Sequence, residues 1–234
     1  MNYFKHLKQI IISEVRSVLK EVRADEYERL GIHYTATGKK ALRVFDFDDT
    51  LAKTNSKVWV SEFDKETGEP LGDEYAITPA QYARFKTDIA SKHPEKTYKY
   101  DYREFAQVVE PKIIKGPFEI LKKVTEKIRQ GSNIPAVILT ARGSAANENI
   151  RKFLRSQGID IPVKTLDGSA PELKSNWIKQ AMLDLGITRV DFWDDSGLNY
   201  EAVRSLNEDP ELIEKFGKGG FYVKSRQVTE KAED

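Results

Sequence analysis

The chain has 234 residues, with 38 Lys and Arg against 37 Asp and Glu, and a formal net charge of +1. So even a balance gives no overall argument for a nucleic-acid or membrane partner, and no apolar run is long enough to span a bilayer. Cysteine is absent, which excludes disulfides, zinc–thiolate sites and thiol nucleophiles and suits a reducing, cytoplasmic compartment.

Residues 3–22, "YFKHLKQIIISEVRSVLKEV", place Phe4, Leu7, Ile11, Val15, Val18, Leu19 and Val22 three and four apart. That spacing predicts an amphipathic helix, suited to docking on its own domain, a second subunit or a partner protein. Residues 23–40 are polar and end in "TGKK", which reads as a connector. A short apolar run then leads into crowded aspartates, "ALRVFDFDDT". Four more strand-like runs follow, at 135–141, 161–166, 189–195 and 220–225. Between them lie helical patterns: one ends at Gly131, one runs from a Ser144 cap to Gly158, and one begins near Ser175 and ends at Gly186. Strands alternating with helices predict an α/β fold, a Rossmann-like parallel sheet with helices on both faces.

Residues 53–109 interrupt the alternation. They read as a hairpin turning near Thr67 and Gly68, then a helix capped by Thr78 and opened by Pro79, then an aromatic stretch without periodicity. The predicted organisation is therefore a helix and connector over 1–40, a core over 41–52 and 110–226, a small cap or insertion over 53–109, and a tail over 227–234. Aromatics crowd the insertion (Trp59, Tyr75, Tyr82, Phe85, Tyr98, Tyr100 and Tyr102 among them), where packing of a small subdomain and stacking on a base or sugar are both open readings.

Carboxylates repel, so Asp46, Asp48 and Asp49 need a reason to be crowded. Open parallel sheets bind ligands beyond the carboxyl ends of their strands. One such rim would collect the aspartates after the first strand, Thr140 and Arg142 after the second, and Asp194 and Asp195 after a later one, with Lys174 ahead of the helix that precedes it. Converging carboxylates form an oxygen site suited to Mg²⁺, which removes the repulsion. Arg142 is open between a structural ion pair and a contact to substrate phosphate, and Lys164 and Lys179 are alternatives to Lys174. Thr50 supports the loop through hydrogen bonds, and Asn199 orients the loop after Asp195.

"DFDDT", "ILTAR", a lone lysine and "FWDDS", in that order, resemble the four signature motifs of the haloacid dehalogenase superfamily of phosphotransferases, over 41–54 and 110–207. The resemblance implies Asp46 as nucleophile and Asp48 as general acid and base. It also implies that Thr140 holds a phosphoryl oxygen, Lys174 neutralises transferring charge, and Asp46, the backbone carbonyl of Asp48, Asp194 and Asp195 hold Mg²⁺. The motifs are similar as well to polynucleotide phosphatase domains and to small phosphatase-like proteins of tailed bacteriophages. The implied function is a Mg²⁺-dependent phosphomonoester hydrolase acting on a phosphorylated small molecule, a nucleotide or a nucleic-acid end. The competing expectation is a phage virion or assembly component whose catalysis is incidental, docked through its N-terminal helix.

Overall fold

The computed structural model describes residues 3–32, 40–78, 81 and 92–232. Five strands form a wholly parallel sheet: β1 (Ala41–Phe45), β7 (Ala136–Thr140), β8 (Val163–Thr165), β9 (Arg189–Asp194) and β10 (Tyr222–Gln227). Their order is β10-β9-β1-β7-β8. The chain therefore starts in the centre, builds outward through β7 and β8, then returns to add β9 and β10 on the other side of β1.

Alternation along the strands sends side chains to two cores. Leu42, Val44, Val137, Leu139, Val190 and Phe192 point to one face. They pack there under α4 (Pro171–Leu185), α5 (Gly197–Arg204) and α6 (Pro210–Phe216). Phe45, Ala136, Ile138 and Trp193 point to the other face, under α2 (Lys115–Arg129) and α3 (Asn147–Ser156). Helices thus lie on both faces, as the near-continuous apolar runs of the strands require.

Several local expectations need correction. The N-terminal helix α1 spans Tyr3–Arg29, so the first residues of the supposed connector are helical. Tyr27 and Ile32 enter the core, Arg23 reaches Asp184 at 2.6 Å, and Glu26 bonds Lys164 and the Trp177 indole. Polar residues in 23–32 thus form the seat of α1 on α4. A 3₁₀ turn over Ser144–Ala146 precedes α3, with no side-chain cap from Ser144. Helix α4 begins at Pro171, so Lys174 lies in its first turn and does not precede it.

In the insertion, β3 (Val58–Asp64) pairs antiparallel with β4 (Tyr75–Ile77), and Gly68, at φ 73°, donates its backbone N–H back to Asp64. The stretch read as aperiodic contributes a third strand, β5 (Lys96–Asp101). Its alternation is half-buried against exposed, too shallow to register as apolar against polar. Thr78 and Gln81 bond reciprocally as a capping box, while the remainder of the helix expected after Thr78 lies outside the described residues. The short strands β2 (Ala52–Lys53) and β6 (Lys112–Ile113) pair antiparallel and close the neck of the insertion.

Candidate active site

After β1 the chain leaves toward the face covered by α2, and after β9 it leaves toward the face covered by α5. Neighbouring strands whose connections diverge leave a crevice at their carboxyl ends, and that is the topological switch point of the sheet. Asp46 follows β1 directly and Asp194 closes β9, so the sequence's two aspartate runs meet there. The Asp46 backbone N–H donates to the Trp193 carbonyl at 2.9 Å, extending the β1–β9 ladder to the rim.

Three carboxylates, Asp46, Asp194 and Asp195, bring oxygens within 4.8 Å of one another and could hold a metal ion. Lys174 bridges two of them, at 2.6 Å from Asp46 and 2.6 Å from Asp194. Asp46, Lys174 and Asp194 are all buried. Burial, opposed by the Lys174 ammonium and reinforced by Asp194, holds the Asp46 carboxyl well above the usual carboxylate range. Burial pulls the Lys174 ammonium down, but Asp46 and Asp194 outweigh it and leave the lysine raised and charged. For Asp195, burial and the Asp194 and Asp49 charges push the pKa up to about 6. One lysine cannot neutralise three carboxylates, and surplus negative charge in a largely buried site is what a hard divalent cation relieves.

The carboxylates are held by their own loops. Asn199 donates its side-chain amide to both Asp194 oxygens, at 3.0 and 3.1 Å, and the Ser196 N–H donates to one at 2.9 Å. Ser196 also caps α5, so one short turn starts the helix and fixes the carboxylate. Thr50 accepts from the Asp195 N–H at 2.9 Å and bonds its carboxylate at 3.2 Å, tying the β1 loop to the β9 loop. Asp49 takes a left-handed φ of 53°, which turns the chain back toward β2.

Asp48 stands apart from this triad of carboxylates. Arg142 grips its carboxylate with two bonds, Nε at 2.8 Å and Nη2 at 2.7 Å. The same guanidinium donates to the backbone carbonyls of Phe105 and Gln107 and to the hydroxyl of Thr54. Its side chain is 1 % exposed, and all of these partners are protein groups. Of the two readings left open for Arg142, the geometry is that of an ion pair linking Asp48 to the insertion, and the residue is not among those lining the site cavity.

Thr140 is buried at the end of β7, where its hydroxyl accepts the Arg142 N–H at 3.2 Å. The alternative lysines lie elsewhere: Lys164 pairs with Glu26 and Lys179 with Asp209. A cavity of about 210 Å³ opens over the site, lined by Asp46, Asp48, Asp49, Ala141, Lys174, Asp195, Asn199 and the loop of Gly168, Ser169 and Ala170. Sequence reasoning missed that loop. The only sequence signal for the loop was a small-residue run just ahead of Lys174.

No protein-family model matches the chain, and no curated protein or solved structure matches it. Among the described residues no helix is long and apolar enough to cross a membrane.

Proposed function

We propose that the protein is a Mg²⁺-dependent phosphomonoester hydrolase with a Rossmann-like core of the haloacid dehalogenase type. The observation that carries this reading is the meeting of Asp46, Lys174, Asp194 and Asp195 at the switch point. Bound Mg²⁺ would be held by Asp46, Asp194 and Asp195 and would supply electrostatic stabilisation of the phosphoryl group in transfer.

In the first step an Asp46 oxygen attacks phosphorus, the ester P–O bond breaks, and the leaving oxygen takes a proton from Asp48. In the second step water attacks the aspartyl-phosphate, Asp48 takes the water's proton, and phosphate departs from a regenerated Asp46 carboxylate. Lys174 offsets charge on the transferring group, while Thr140 closes β7 behind the cavity wall, its hydroxyl accepting the Arg142 N–H. Arg142 is a positioning residue, because its two-pronged hold fixes the Asp48 rotamer. The small, open cavity suits a phosphate group at the end of a larger molecule, a nucleotide or a nucleic-acid end included.

Hydrolysis of p-nitrophenyl phosphate, with and without Mg²⁺ and with Asp46→Asn as control, tests the proposal. Turnover that needs Mg²⁺ and vanishes in the variant is expected. Turnover that persists in Asp46→Asn would sink the mechanism.

A second reading, an assembly component docked through α1, is favoured by one observation. Val15, Val18, Leu19 and Val22 present a largely exposed apolar stripe ahead of the residues that seat the helix.

A further inference from the structure

A wholly parallel sheet normally has apolar side chains on both faces. One corner of this one does not. On the face shared with α2 and α3, the strand registers form a grid of side chains. Tyr222 lies beside Arg189 and Ala41, Lys224 beside Asp191 and Arg43, and Arg226 beside Trp193 and Phe45. The opposite face of the same strands carries Val223, Val190 and Leu42 and is buried. The grid holds four cations to one carboxylate, in a chain whose total charge is almost balanced.

Asp191 is already shared, by Arg226 at 3.1 Å and Arg189 at 3.4 Å. It cannot satisfy all four cations. The Arg43 Nη1 atom is buried and has no hydrogen-bond partner among the described residues. A guanidinium nitrogen left in that state is costly, and an anionic oxygen is the acceptor to which it would donate. Arg189 and Lys224 are exposed, Arg226 packs over the Trp193 ring, and Tyr222 is 55 % exposed.

We propose that this sheet corner binds the phosphodiester backbone of single-stranded nucleic acid. Strands lie about 4.8 Å apart, so the three-strand grid is roughly 10 Å wide, the scale of one backbone and too narrow for a duplex. Tyr222 offers an open ring on which an unpaired base can stack beside the cations. Arg43 is three residues before Asp46, about 10 Å along the strand, so a chain held here runs close to the acidic rim. The binding surface stands independently of the chemistry proposed for that rim.

The test is fluorescence anisotropy of a labelled single-stranded DNA oligonucleotide with the full-length protein, at low and at raised salt. Binding is expected to weaken with salt, with a logarithmic slope of about −2 to −3 for three or four phosphate contacts. Lys224→Glu together with Arg189→Glu should weaken it about tenfold or more, while p-nitrophenyl phosphate turnover stays at the level of the unaltered chain. Asp191→Asn, which removes the one competing carboxylate, should tighten it.

No binding at low salt overturns the proposal, as does affinity unchanged in both variants. Equal or tighter binding of polyglutamate or of phosphatidylserine vesicles overturns the assignment to nucleic acid.

Discussion

Strands β1 and β9 carry opposite charge excesses within a few residues of each other. At their carboxyl ends three carboxylates converge, and one lysine bridges two of them. A few residues earlier, on one face, four cations surround Asp191. The two regions differ in burial. The acidic rim is largely buried, so its surplus is expensive and its pKa values move far, as at Asp46 and Asp195. The basic corner is mostly open to water, where like charges repel weakly at ordinary salt. Crowding at the rim therefore calls for a tightly held ion, and crowding at the corner for a loosely held, salt-sensitive polymer.

Asp46→Asn should break the rim's function most completely. Turnover of p-nitrophenyl phosphate is expected to vanish while circular dichroism and melting stay close to those of the unaltered chain. Lys174→Ala leaves two buried carboxylates without their shared cation and should cost about 3–5 kcal/mol in denaturant unfolding. Lys179→Ala loses only half-exposed pairs to Asp209 and Glu211 and should cost less than about 1 kcal/mol. Equal losses would show that Lys174 is not the hub of the rim.

Arg142→Lys keeps the charge but loses the two-pronged grip on Asp48. We expect kcat to fall about 100-fold with little change in KM, together with faster amide exchange in 54–56 and 105–107. Exchange left unchanged would mean that the guanidinium does not tie the insertion down.

The pH response sharpens the contrast further. The folded pKa of Asp195 lies near 6, above its unfolded value, so its contribution to stability is complete below pH 4 and lost as pH rises through 6. The metal-free protein should lose under about 3 kcal/mol from this group between those limits, and less where solvent screens it. Mg²⁺ should restore stability at pH 7 more than at pH 5, and Asp195→Asn should flatten the difference in thermal melts. The smallest effect is expected for Asn199→Ala, which removes the amide from both Asp194 oxygens. Mg²⁺ affinity should drop about tenfold by titration calorimetry.

The five strands of the parallel sheet, the α2, α3 and α4 patterns and the two aspartate runs are legible because each is a local regularity. Apolar runs of strand length read as strands, and an apolar run ending in clustered carboxylates reads as a strand end at a ligand rim. Arg142 is ambiguous because "ILTAR" fixes where the residue sits just beyond β7 and says nothing about the loop across from it. Phe105 and Gln107 lie more than 30 residues upstream, and only folding brings their carbonyls to the guanidinium. Tyr27 reads as a connector residue because its partners on α4, Trp177 and Asp184, lie about 150 residues away.

The sequence by itself determined the alternation of elements and which residue types gather at the strand ends, since both follow from the period of the chain. Tertiary structure alone decided that Asp48 faces Arg142 while Asp46 shares Lys174 with Asp194. It also decided that Arg43, Arg189, Lys224 and Arg226 share one surface. Those pairings depend on strand order and register, which join residues far apart in the chain and leave no local signature in it.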